Sequence, residues 1–511
     1  MWLAVLIVGF ITGITVYLYH VLQATTYWKR RGIPSVPSSN IFTNQLDETT
    51  SYDHPICFQL HKWTKEFGPI YGIFSGTVPE LVISDPAMVH EMLNKKFECF
   101  HGRRSTPILR VIENNKLSHL FIVKGARWKR LRTISAPIFS TGNLRRIVPI
   151  VEDSSTKMME FINLEHEKGK PFNIHPFFYE YTMDVICRIA TGQKGSKQFE
   201  NPNVAMVTEV FKNIGSTPFE RLSFMVPSMI YPIFPMFMVY SLLTQSAFYA
   251  VINGIRQAVE DRIKLKESGN YKTQDLPDFI DFFLDSIDEN VTDGAFIKNN
   301  AKVVKRVTTE EIVGQCFAFL LAGFDTTANT LGTTSWYLAK HPNFQDRVYD
   351  EIQEVCNTPE VTYEQLGQLK HIDVTMKEVL RLAPIATGAI SRECMESTTL
   401  GNIPIEKGTN VWIDLVTLNQ NKEIWGDDAS EFRPERFFDV TTEMQNANVN
   451  FGAGPRICIG MKLAYIEEKI ALVHILRKYR IVATDETEAK LEMCGRVVQH
   501  PKSITVKLEL R

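Results

Sequence analysis

Apolar and polar positions along the chain fall into three regimes. Residues Trp2 to Leu22, WLAVLIVGFITGITVYLYHVL, contain no Lys, Arg, Asp or Glu. About 20 apolar residues cross a bilayer as a helix. The run is too long for a signal-peptide core and has no basic residues ahead of it, which predicts an uncleaved anchor over residues 1–28. Tyr17, Tyr19, Tyr27 and Trp28 stand where an interfacial aromatic belt belongs, and Lys29-Arg30-Arg31 predict that the rest of the chain faces the cytosol. Pro34 and Pro37 predict a stiff, non-helical linker over residues 29–40.

Residues 41–511 read as one large domain, mainly α with a small β-rich subdomain. The stretch YGIFSGTVPELVIS within residues 70–84 predicts a β-hairpin. Short β segments recur over Leu400–Leu418, with Gly401 and Gly408 at turns, so the subdomain should form from two distant pieces. DPAMVHEMLNKK, from Asp85, opens as a helix. Thr308 and Glu311 form a capping box ahead of a helix of about 31 residues that His341-Pro342 ends. Its centre is apolar nearly all round, which predicts burial. Yet Gly323, Asp325, Thr326 and Thr327 lie there, and a buried unpaired Asp costs several kcal/mol. The run Phe224–Leu243 is apolar but holds three prolines, which predicts a broken, membrane-dipping lid rather than a span.

Composition narrows the function. Net charge is −2 over 511 residues, which argues against a nucleic-acid partner held by phosphate contacts. The 44% hydrophobic and 22% charged shares exclude a disordered chain. The eight cysteines contain no Cys-x-x-Cys pair, so neither a zinc pattern nor a disulfide framework is present.

The segment FGAGPRICIG, Phe451–Gly460, carries the chemistry. Gly452 and Gly454 allow tight turns, Pro455 stiffens the loop, and Arg456 places a cation two residues before Cys458. An amphipathic helix follows. A thiol at a helix N-terminus beside a cation leans towards thiolate, which suits a nucleophile, a redox thiol or a metal ligand.

The pattern Phe451, Gly454, Arg456, Cys458, Gly460 resembles the haem-binding loop of the cytochrome P-450 family, the haem-thiolate monooxygenases. Glu378 and Arg381 in KEVLR, Arg436 in FRPERF, and Ala322–Thr327 in AGFDTT match three further family motifs in order. WKRLRTISAPIFSTG is most similar to the animal microsomal branch that handles drugs and steroids. Two departures stand out: Asn450 replaces the usual proline before the loop phenylalanine, and TLNQNKEIW lacks the usual histidine and Asp-Pro.

The resemblance implies a cytochrome P-450-like fold, with haem b held through iron by the Cys458 thiolate. It implies Arg456, Trp128, Arg132, Arg392 and, more loosely, Arg103 as haem contacts, with Phe451 in the loop and Ala322 and Gly323 in the distal groove. Asp325 and Thr326 would deliver protons; Glu378, Arg381 and Arg436 would pin the cysteine loop. Substrate contacts are expected from Phe317, Phe319, Leu320, the Ser105–Leu120 loop and Ile385–Ala389. No segment resembles a flavin or nicotinamide site, so electrons would come from a separate NADPH-dependent flavoprotein reductase, with cytochrome b5 as a second candidate donor. Arg127, Lys129, Arg130 and Lys462 form a candidate docking face for that donor. The implied activity is insertion of one oxygen atom from O2 into an apolar lipid, steroid or xenobiotic at the endoplasmic reticulum membrane. The alternative is a haem-thiolate isomerase or dehydratase acting on a peroxide without O2.

Overall fold

A computed structural model describes residues 2–38, 40, 43–269, 278–293, 296 and 303–511. The β-rich part is a five-stranded sheet assembled from both ends of the domain. Ile70–Ser75 and Val78–Ile83 form the predicted hairpin. Val78–Ile83 then runs parallel to Asn410–Ile413, which pairs antiparallel with Arg392–Glu393, which pairs antiparallel with Gly102–Arg103. This register sets Arg103 opposite Arg392. The β pattern expected up to Leu418 stops sooner, because Asp414 caps a short helix, Leu415–Asn419, through the Thr417 N–H.

The long helix spans Thr309–Lys340, with the Thr308–Glu311 capping box formed and Glu311–Leu320 and Thr327–Ser335 buried. Its most extensive helix contact is with His175–Thr191. The helix after the cysteine loop, Met461–Lys478, is less amphipathic than its sequence suggests. Glu467 and Glu468 are both buried in it, and burial pushes both carboxyls well above their ordinary range.

Three expectations near the apolar segments need correction. Trp2–Tyr27 is helical as predicted and exposes Ile7, Val8, Ile11 and Leu22, but Trp28 is no interfacial residue. It is buried in the domain, its indole N–H donates to the Ile73 carbonyl, and it fills the space over Gly72, where any side chain would clash. Residues 29–40 are no free-standing spacer either. Pro34 and Val36 hydrogen-bond to Gly72 at the sheet edge, and Arg31 ion-pairs with Glu406. Third, Ile230–Thr244 is one continuous helix despite its prolines. Pro232 falls in the first turn, where a helix has no partner for an N–H anyway. Together with the preceding turn, Pro227–Thr244 is long and apolar enough to cross a membrane by length and composition alone. Ile233 and Phe237 pack against Ile108, while Tyr231, Met236, Val239, Leu242 and Leu243 are exposed.

Candidate haem site

The cysteine loop is built by local backbone demands. Gly454 has φ 64°, and a Cβ there would lie 2.1 Å from the Leu93 carbonyl oxygen, so only glycine fits. Gly454–Arg456 makes one 3-10 turn, and the Cys458 N–H donates to the Phe451 carbonyl at 2.8 Å. Gly460 then caps Met461–Lys478. Cys458 is the one exposed cysteine of the eight, yet burial is the leading influence on its thiol. Both hold if its bare surface faces an internal cleft rather than bulk water. Burial raises the thiol above its ordinary range, while the Gly460 and Met461 N–H groups and the Arg103 and Arg132 guanidinium groups pull it back. The loop's N–H groups and cations thus oppose the effect of burial, and a bound metal would displace the thiol proton.

Two guanidinium groups, Arg103 and Arg132, act on this sulfur, and Arg392 and Arg456 adjoin Arg103. Trp128 and Arg132 share one face of Gly125–Ser135. Arg132 donates to the Ile457 carbonyl at 2.9 Å, and Arg456 donates to Val123 at 2.6 Å while lying 4.7 Å over the Trp128 ring. Arg392 donates to the Ile390 carbonyl at 2.9 Å. Burial, then the neighbouring Arg103, pushes Arg392 down to about 9. Burial pushes Arg103 down to about 10, with Arg132 adding to it and Cys458 opposing it. Arg456 is lowered by burial first, then by Arg103 and Arg392. Among the described residues no carboxylate ion-pairs with any of the four. Buried N–H groups of Arg103, Arg392 and Arg456 have no partner.

Such a cluster is costly unless an anion completes it. A haem has two carboxylates for the guanidinium groups and an iron for a thiolate, so the residues present fit the group implied by the sequence. Arg103, only a loose match in sequence, belongs with the others through its cross-strand place opposite Arg392.

The long helix carries Ala322, Gly323, Asp325 and Thr326 near its centre. Ala322 is exposed although its helix is buried, and the Thr326 hydroxyl donates to the Ala322 carbonyl at 2.6 Å. Asp325 is buried and turned towards His175–Thr191, where the Tyr179 hydroxyl donates to it at 3.1 Å. Burial pushes its carboxyl up to about 7, opposed first by the hydrogen bond from Tyr179. No hydrogen bond joins Asp325 to Thr326 among the described residues. A Cβ on Gly323 would lie 2.9 Å from Ile186, so this glycine also admits a neighbouring helix.

Two other expectations fail. Phe319 and Leu320 are core residues, Phe319 meeting Phe139 and Phe279 edge-on. Arg127 and Arg130 are not a free docking face, because both ion-pair with buried Glu311 and Arg130 also with Asp293. Lys462 is exposed. His119, read only as part of a loop, lies beside Phe317, with Nδ1 buried and unpartnered. Burial, then Arg103 and Arg127, push it down to about 4, so it is neutral.

The pinning network forms. Arg381 donates to Glu378 at 2.7 and 2.8 Å, Arg436 donates to Glu378 at 3.0 Å, and all three side chains are wholly buried. Arg381 also donates to the Asn419 carbonyl at 2.7 Å, and Arg436 to the Trp425 carbonyl at 2.6 Å. The two departures from the family pattern meet here: the Asn419 amide donates to the Asn450 side-chain oxygen at 3.1 Å.

Comparison with known proteins agrees with this geometry. The family model described as cytochrome P450 matches residues 34–508. Three Caenorhabditis elegans proteins are similar over nearly full length. Cytochrome P450 CYP13A1 is 40% identical across 98% of this chain and 97% of its own. CYP13A5 is 38% identical across 100% and 99%, and CYP13A10 is 38% identical across 97% of each. The chain belongs to the cytochrome P450 family, whose members hold haem through a cysteine thiolate.

Proposed function

We propose that the protein is a membrane-anchored monooxygenase that inserts one oxygen atom from O2 into an apolar small molecule, using NADPH electrons from a separate flavoprotein reductase. Cytochrome b5 is a second candidate donor, the endoplasmic reticulum membrane the candidate location, and residues 41–511 the cytosolic catalytic part. The observation that carries the reading is the cluster of Arg103, Arg132, Arg392 and Arg456, ion-paired with no carboxylate among the described residues, with Arg103 and Arg132 acting on the bare sulfur of Cys458. Haem, when bound, supplies the oxygen-activating redox chemistry, and a thiolate ligand favours O–O cleavage.

Each chain residue has a limited task in this reading. Cys458 would give up its proton to hold iron. The four arginines, with Trp128, would hold the haem carboxylates. Ala322 would leave room for the group. Asp325, neutral or charged near pH 7, gives and regains protons one at a time, and Thr326 lines the route. The apolar helix Trp2–Tyr27 and the exposed face of Pro227–Thr244 support a membrane location and a lipid-side route for apolar substrates.

The test is turnover of the full chain with reductase, NADPH and 18O2, on a compound chosen by its spin-shift from lipids, steroids and xenobiotics. One labelled oxygen per product and one NADPH per labelled product support the reading. Unlabelled product formed without NADPH would overturn it in favour of peroxide rearrangement.

A further inference from the structure

Two adjacent helices each present a pair of polar residues one turn apart, and the pairs face each other. The long helix contributes Asp325 and Asn329; its neighbour contributes His175 and Tyr179. The Tyr179 hydroxyl lies 3.1 Å from both Asp325 Oδ1 and Asn329 Oδ1, and His175 Nε2 is 2.7 Å from Asn329 Oδ1. The Tyr179 ring packs at a tilt against His175, at 4.5 Å, and against Phe324, at 5.0 Å. The phenol is therefore held by ring packing and at its hydroxyl.

We propose that Tyr179 is a positioning residue for Asp325: its phenol latches the acid while Asp325 is ionised and releases it once it is protonated. The proposal rests on the reading of Asp325 as a proton donor. A hydrogen bond to a carboxylate is about twice as strong as one to a neutral acid. The empty acid is thus held back against His175–Thr191, and the loaded acid is freer to leave that face. The other titratable groups nearby do not blur this. Tyr52 is pushed up to about 12 and the Cys494 thiol is raised, both by burial. His175 is pushed down to about 4 and His500 is lowered, again by burial. Tyr52, Cys494 and His175 keep their charge near neutrality, and loss of the carboxyl band in Asp325→Asn separates Asp325 from His500.

The experiment uses the haem-loaded full chain and Tyr179→Phe, which keeps the ring and its packing. Infrared titration, with Asp325→Asn to assign the band, should show the carboxyl midpoint rising by about one pH unit when the donor is lost. Product per NADPH should fall severalfold, with haem content and the reduced CO spectrum unchanged. Thr182→Val removes a different bond between the same helices, from the Thr182 hydroxyl to the Phe324 carbonyl at 2.9 Å, and should leave the midpoint in place. An unmoved midpoint or unchanged coupling in Tyr179→Phe overturns the proposal, as does an equal shift in Thr182→Val. If Asp325→Asn itself leaves coupling intact, the reading of Asp325 falls and takes the proposal with it.

Discussion

Arg103 and Arg392 face each other across an antiparallel strand pair, two buried cations with no acid between them. Burying two guanidinium groups without an acid partner costs the native haem-free chain stability that the unfolded chain does not lose. Arg392→Gln should remove that penalty and raise the melting temperature of the haem-free form at pH 7. The same change should weaken haem retention by about 2–5 kcal/mol, more than tenfold. Thermal melts with and without haem, and haem transfer to an acceptor protein, measure the two opposite signs. Parallel losses in both would show Arg392 to be structural.

Thr326→Ala should uncouple turnover without emptying the site. The lost hydroxyl donates only to the Ala322 carbonyl, and alanine raises helix propensity by a few tenths of a kcal/mol. Haem content should hold while product per NADPH drops severalfold and hydrogen peroxide rises to match. Unchanged coupling would remove Thr326 from the chemistry.

Glu378→Gln should be far more damaging, although Glu378 touches no substrate. It leaves Arg381 and Arg436 buried beside a neutral amide, at a cost of about 3–5 kcal/mol. Little spectrally intact protein should accumulate on expression at 37 °C. Normal yield with a normal reduced CO spectrum would refute the pinning role.

These outcomes separate what the sequence could reveal from what it could not. The cysteine loop, its glycines and the Trp128–Arg132 pair are short-range patterns, so they were legible at once. The hairpin and the capping box were legible for the same reason. Arg127 and Arg130 misled because their partner, Glu311, lies 184 and 181 residues away. Tyr179 left no local trace at all, since it reaches Asp325 across 146 residues. Nor did the sequence show that Gly323 also admits the helix bearing Ile186.

Topology has its own test. Asn290 begins an Asn-Val-Thr sequon and is exposed. If Lys29–Arg31 keep the domain in the cytosol, Asn290 never meets the glycosylation machinery. Microsomal protein should show no mass shift on glycosidase treatment, and a glycan on Asn290 would reverse the orientation.

The bond between Asn419 and Asn450 constrains how this sequence can drift. Asn419 is wholly buried and its own side-chain oxygen already lacks a partner. A proline at 450 would strand its amide as well, so the family proline cannot return at 450 at no cost while Asn419 stands. A chimaera carrying a relative's cysteine loop, with the usual proline at 450, should therefore fail at a residue 31 positions upstream of that proline.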